Sequence, residues 1–260
     1  MENDSVKLKN RKFILTFCIV ILIFAFYILT LPSEAFAATI SKPMQSLGLV
    51  GYWSFDVGKG GAKAVDMSGN GNNGTLTNMN TTAAWVGGKI GNALEFDRVN
   101  DYVAITPISN TKGSISAWVK PAFNLDPSSY YSILAGTNTG NDWSLQANTF
   151  GGYDNYELDY RGAYGTNCEV VAQPDQTSNT AWQQWAHVAV TWNIATGAEI
   201  FVNGVLVGTS SCTTGSPSLS SYQIGAKDGG SLWNGLIDEV RVYNRALSPE
   251  EIKRLYNMGR

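Results

Sequence analysis

A carboxylate set in an apolar strand is the first chemical signal in this sequence. The stretch Trp233–Tyr243 alternates with a period of two, which predicts a strand beginning after Gly235 and ending near Asn244. Strict alternation puts Leu236, Asp238, Val240 and Val242 on one face, and Ile237, Glu239, Arg241 and Tyr243 on a half-solvated other face. Asp238 must then be neutralised, hydrogen-bonded or paired with a cation, because desolvating a bare charge costs several kcal/mol. A second oxygen-rich stretch, Asp66-Met-Ser-Gly-Asn-Gly-Asn-Asn-Gly74, has the Asp-x-Ser-x-Asn-Gly spacing of the first half of an EF-hand loop. The twelfth position is Thr77 and neither flank reads as helix, so an EF-hand is excluded, while a turn rich in side-chain oxygens remains. A third stretch, Glu157-Leu-Asp159, sets two carboxylates two residues apart; retaining glycoside hydrolysis needs a pair about 5–5.5 Å apart. His187 is the only histidine, which argues against a Ser-His-Asp triad and a multi-histidine zinc site.

The elements that must position these groups are strands. The 260 residues include 27 glycines and 8 tryptophans at low charge, a composition suited to short strands and many turns. Acidic residues outnumber basic ones by 21 to 18 and no Lys/Arg run lies beyond the N-terminus, which argues against nucleic acid and anionic membrane as partners. At the N-terminus, Lys7, Lys9, Arg11 and Lys12 precede the apolar run Phe13–Leu31, and Ala35-Phe36-Ala37 follows as a small-x-small cleavage site. Residues 1–37 are therefore expected to be a signal peptide or, because the run can span a bilayer, a signal anchor. Either predicts a secreted or cell-surface protein, with membrane contact only through a retained segment. Residues 38–47 read as a linker and 48–260 as one β domain. Of the three cysteines, Cys168 and Cys212 fall in that exported domain; a disulfide between them and a pair of free thiols both remain open.

In chain order, strands are predicted over Gly48–Asp56, Gly88–Asp97, Asp101–Ile105 and Gly113–Pro121, then near Ser132–Ala135, Trp143–Gln146, Tyr156–Tyr160 and Cys168–Ala172. Trp185–Trp192 follows, with His187, Ala189 and Thr191 on one side and Val188, Val190 and Trp192 on the other. Glu199–Gly208 reads as a hairpin turning at Asn203-Gly204. Ser248, Pro249 and Glu251 form an N-cap, first-turn proline and capping box for a helix to about Tyr256. Roughly a dozen strands with one helix predict an all-β, two-sheet sandwich.

The closing run Gly235-Leu-Ile-Asp-Glu-Val-Arg-Val-Tyr-Asn-Arg-Ala-Leu-Ser-Pro-Glu-Glu-Ile252 resembles the end of laminin G-like jelly-roll domains of the concanavalin A-like lectin/glucanase superfamily. Gly51–Asp56, the Asp66–Gly74 loop, Gly91–Asp97, Asp101–Val103, Trp185–Trp192 and Phe201–Gly204 match the same family in the same order. The resemblance implies a concanavalin A-like jelly roll with a short C-terminal helix, a sugar-binding or adhesive role, and a structural calcium. In such jelly rolls the first and last strands are neighbours, so Asp56 and Asp238, with Asp66 or Asn70, become the expected calcium ligands. Glucanases on this sandwich carry Glu-x-Asp-x-x-Glu or Glu-x-Asp-x-Glu on one strand; here Arg161 or Gly162 stands where the second Glu belongs, so no catalytic residue is expected.

Carbohydrate binding is the functional expectation, for an extracellular glycan or cell-surface component. Flat aromatic rings pack on sugar C–H groups, and Trp143, Tyr153, Tyr160, Tyr164 and Trp233 are the candidates. An adhesion module for protein is the alternative, and a glucanase-type hydrolase a further one.

Overall fold

The computed structural model describes residues 46–106, 112–122, 129–138, 141–148, 154–161, 167–175, 184–193, 195–211, 221–228 and 230–260. The apolar run Phe13–Leu31 lies outside them. Among the described residues no helix is long and apolar enough to cross a membrane.

The strands are β1 (Leu49–Trp53), β2 (Lys63–Ala64), β3 (Gly74–Thr77), β4 (Trp85–Gly87), β5 (Asn92–Asp97), β6 (Tyr102–Ile105), β7 (Lys112–Pro121) and β8 (Tyr130–Asn138). They continue as β9 (Asn141–Asn148), β10 (Asp154–Arg161), β11 (Asn167–Asp175), β12 (Ala186–Asn193), β13 (Gly197–Val202), β14 (Val205–Ser210), β15 (Ser221–Ile224) and β16 (Asn234–Tyr243). Two antiparallel sheets result. Sheet A runs β14-β13-β12-β7-β16-β5-β4, with β1 also paired to β16; sheet B runs β11-β10-β9-β8-β15-β6-β3-β2. Chain-distant strands pair side by side, as a concanavalin A-like jelly roll requires. The short strands β2, β3 and β4 have no counterpart in the sequence expectations, because two to four residues carry too little alternation to read.

Alternation builds one core between the sheets. Ile115, Ala117 and Val119 of β7, Val188 and Val190 of β12, and Ile200 of β13 face Val103, Ile105, Leu145 and Ile224 of sheet B. The β13–β14 hairpin turns at Asn203 and Gly204, at φ 52° and 75°, the left-handed pair of a two-residue type I′ turn. The C-terminal helix α1 (Pro249–Met258) begins with the predicted cap: Ser248 accepts from the Glu251 N–H and Glu251 from the Ser248 N–H. Ile252 and Leu255 then pack on Ala189, Phe201 and Tyr243, so the helix covers part of the outer face of sheet A.

Strand β16 departs from strict alternation. Its pairing with β7 slips between Asp238 and Arg241, and Glu239 has φ 55°, which marks a bulge. The extra residue reverses the faces: Ile237, Val240 and Val242 point into the core, while Asp238 stands opposite Trp118 and Arg241 opposite Ser116 on the outer side. Nor is the Glu239–Arg241 face half-solvated. Glu239 is 2% exposed and Arg241 8%, and they form an ion pair. Tyr52, opposite Arg241 on β1, donates its hydroxyl to both Glu239 carboxylate oxygens at 2.9 and 3.0 Å, and the guanidinium lies 4.0 Å over its ring. Two charges are thus buried as a satisfied pair, which avoids the cost of an isolated one.

Candidate functional site

One register row on the outer face of sheet B is mostly polar, broken by two alanines. Core residues Leu145 and Ala147 fix the inward parity of β9, so Ser144 and Gln146 belong to the outer face. The register then runs Thr75–Ala104–Gln223–Ala135–Ser144–Asp159–Glu169 across seven strands. Beside it, Ser132 pairs with Gln146 and Gln146 with Glu157. Ser132, Ala135 and Ser144 are fully buried and Gln146 nearly so, while Ala104 and Gln223 are half-buried. Ser144 Oγ donates to Gln146 Oε1 at 3.3 Å. Ser132 Oγ and Gln223 Oε1 are buried with no hydrogen-bond partner among the described residues. Such groups need a partner, and a hydroxyl-rich ligand or water supplies one. Tyr130, 45% exposed at the start of β8, adds an aromatic ring at the end of this face.

The register also supplies a carboxylate that the local motif lacks. Glu169 on β11 stands directly opposite Asp159 on β10, and Glu157 lies two residues along. No spacing within one strand could reveal Glu169; only the β10–β11 pairing does.

Of the expected sugar-binding aromatics, Tyr153 and Tyr164 lie outside the described residues. Trp143 and Tyr160 pair with each other, in a register row that also contains Gly136 and the core residue Tyr222, alternate to the polar row. Trp233 is 1% exposed and packed in the core, so its ring is not a sugar platform; the apolar interior took the residue that the sequence offered to ligand. Cys168 lies on β11 and Cys212 outside the described residues.

The four expected calcium ligands serve the backbone instead. Asp238 and Asp56 both accept from backbone N–H groups of the stretch 89–92. Asp238 Oδ2 accepts the N–H groups of Lys89 and Ile90 at 2.9 and 3.0 Å, and Asp56 Oδ1 that of Asn92 at 2.8 Å. At Gly91, φ 60°, a Cβ would sit 1.9 Å from Asp56 Oδ1, so the close clasp depends on glycine there. Asp66 is saturated in its own loop: Oδ1 accepts from the Tyr52 and Ser68 N–H groups, and Oδ2 from Ser68 Oγ and the Asn72 N–H. Asn70 donates to Leu49 O, Val50 O and Ser68 Oγ. Each of these carboxylates is turned at least partly to N–H donors, and among the described residues no group of three or more His, Cys, Asp or Glu is gathered, so those side chains alone do not make up a calcium shell of six to eight oxygens.

Burial tunes two groups behind sheet A. Burial raises the Asp238 carboxyl to about 7 against the pull of its backbone donors, and its Oδ1 has no partner among the described residues. Full burial, with Arg241 adding, pushes the His187 imidazole down to about 3. His187 is thus a neutral packing residue between Trp118 and Tyr256 rather than an acid–base group.

Comparison with known proteins agrees with this architecture. The chain is similar to domain 4 of an extracellular arabinanase from Geobacillus stearothermophilus, solved in complex with arabinotriose, at 24% identity and TM-score 0.62, covering 80% of this chain and 98% of that one. It is also similar to the binding domain of botulinum neurotoxin serotype D, at 16% identity and TM-score 0.66, covering 82% of this chain and 52% of that one. The binding domain of botulinum neurotoxin DC, solved with rat synaptotagmin II, matches at 14% identity and TM-score 0.62, covering 83% and 52%. The chain thus spans about half the length of these toxin domains. No curated protein matches by sequence. A laminin G-type family model covers residues 97–253, more than half of the chain, and on that match and this fold the protein belongs to the concanavalin A-like lectin/glucanases superfamily.

Proposed function

We propose that this protein is an exported, non-catalytic carbohydrate-recognition module that binds a glycan along the outer face of sheet B. The observation that carries this reading is the largely buried row Gln223–Ala135–Ser144 with Ser132 and Gln146 beside it, in which Ser132 Oγ and Gln223 Oε1 have no partner among the described residues. Amide and hydroxyl groups fixed on a sheet match sugar hydroxyls in both donor and acceptor sense, without charge. Most of the face is neutral, which suits a glycan better than a charged protein surface. The arabinotriose-bound arabinanase domain, of the same fold, is consistent with that choice of ligand. A glycan array probed with the full chain tests it: a neutral oligosaccharide should bind, and Gln146→Ala should weaken that binding about tenfold, the effect of one or two lost hydrogen bonds. Binding to protein partners with no glycan signal would support adhesion instead.

A hydrolase is the second reading, favoured by one observation, Glu169 opposite Asp159. Reducing-sugar release from the bound oligosaccharide, abolished in both Glu157→Gln and Glu169→Gln, would establish it and displace the non-catalytic reading.

A further inference from the structure

A second cleft opens on the other side of the sandwich. The row Thr191–Glu199–Thr209 crosses β12, β13 and β14 on the outer face of sheet A, since Val190, Ala198 and Ile200 face the core. Two residues along, the parallel row through Ala189 and Phe201 is covered by helix α1; in the Thr191–Glu199–Thr209 row Thr191 is buried at 4% exposure, Glu199 is half-buried and Thr209 is exposed. The cavity is about 350 Å³, lined there by Ala246 and Leu247 and at its far end by Thr196 and Ser210. That size is at the lower end of small-molecule sites, roughly 300–1,000 Å³.

Its wall is held rigid. Ser114 Oγ donates to Arg245 O and accepts the Leu247 N–H, each at 2.9 Å. Arg245 grips both Glu251 oxygens at 2.8 and 2.6 Å and donates to Leu47 O at 2.8 Å. At the far end, Gly197 has φ 106°, and a Cβ there would lie 1.9 Å from Ser210 O, so the strands close up only around glycine. A site assembled beforehand loses little freedom when it binds.

Among the described residues that line the cleft, Glu199 is the only charged one. Its carboxylate is acceptor-only, and the directly opposed Thr191 and Thr209 have Cβ atoms about 4.5–5.5 Å from that of Glu199. Adjacent hydroxyls of a sugar can donate to the two carboxylate oxygens, while the exposed Thr209 can give or take a further hydrogen bond. A phosphate, sulfate or uronate group would meet the like charge of Glu199, with no cation among the described lining residues. One carboxylate and a few hydroxyls fall short of a calcium shell. We propose that this cleft is a second sugar site, separate from the sheet B row, which takes one neutral sugar residue by its vicinal diol. The proposal extends the glycan-recognition reading, and its test separates the two.

The test is saturation-transfer NMR of the full chain with L-arabinose, D-galactose and D-glucose, each against its ether with the vicinal diol methylated, and with D-glucuronate. At least one neutral sugar should bind, its ether should not, and glucuronate should bind less tightly. Glu199→Gln, nearly isosteric, should weaken that binding about tenfold, as loss of a charge-assisted hydrogen bond does. Thr209→Val, checked for an unchanged melting curve, should weaken it as well, whereas Gln146→Ala should leave it intact. Sugar binding that ignores both Glu199→Gln and Thr209→Val, or glucuronate binding as tightly as neutral sugar, overturns the cleft proposal. So does a wild-type chain that binds none of these monosaccharides. Array binding lost only in Gln146→Ala would sink the cleft and leave the sheet B row standing; array silence together with monosaccharide binding lost in Glu199→Gln would do the reverse.

Discussion

At the residue scale, Asp238 and His187 respond to pH in opposite directions, because burial penalises the charge of each. Asp238 has a folded-state value near 7, above its ordinary 3.8. Between those values the folded state holds a proton that the unfolded state has released, so this group's contribution is full below about pH 4 and lost as pH rises toward 7. His187 has a folded-state value near 3, below its ordinary 6.5. Its contribution is full above about pH 6.5 and is lost as pH falls toward 3. In the wild type the two slopes oppose each other between about pH 4 and 6.5. Asp238→Asn retains an oxygen acceptor for the Lys89 and Ile90 amides, and its melting temperature should climb more steeply with pH over that range than the wild type's. His187→Gln should show the converse, a melting temperature that falls from pH 4 to 7. Identical pH profiles for wild type and Asp238→Asn would mean that the carboxyl is not titrating in the folded state. The same geometry bears on metal: added calcium or EDTA should leave the wild-type melting curve in place, and a rise of several degrees with calcium would show a cation site that the described residues do not assemble.

At the element scale, helix α1 stabilises the molecule through its packing on sheet A and through its first turn. Ser248 and Glu251 exchange cap hydrogen bonds, and Glu251 also receives Arg245. Ser248→Ala removes one side of the capping box and should lower unfolding free energy by about 1 kcal/mol in urea titration. A change below a few tenths would mean that packing alone sets the helix start. The helix was legible in the chain because Ser-Pro-Glu-Glu is a local signal. The β16 bulge was not: its cause lies in neighbours 120 and more residues away, β7 on one side and β1 on the other, and strict alternation gave the wrong face for Ile237 and Asp238.

At the scale of the whole molecule, the chain joins an N-terminal targeting pattern to a sandwich with a polar row on the outer face of sheet B and a polar cleft on that of sheet A. Export with cleavage after Ala37 should leave Ala38 as the N-terminus of the mature protein, read by mass spectrometry of the exported fraction. A chain beginning at Met1 in the membrane fraction would instead show a retained anchor.

The sequence by itself determined the layer architecture, most of the longer strands, the type I′ hairpin and the capped helix. Each rests on periodicity or on turn chemistry within about ten residues, where local sterics and burial decide the outcome. It also singled out Asp238 as a buried carboxylate needing partners, because an acid in an apolar strand is unstable without them. Only the tertiary structure decided who those partners are, since the amides of Lys89 and Ile90 are nearly 150 residues distant. It likewise decided that Trp233 belongs to the core and that Glu169 meets Asp159. The Thr191–Glu199–Thr209 row joins three strands that the sequence describes separately. Strand register sets which side chains become neighbours, and register is fixed by the summed burial of two whole sheets rather than by any one stretch of chain.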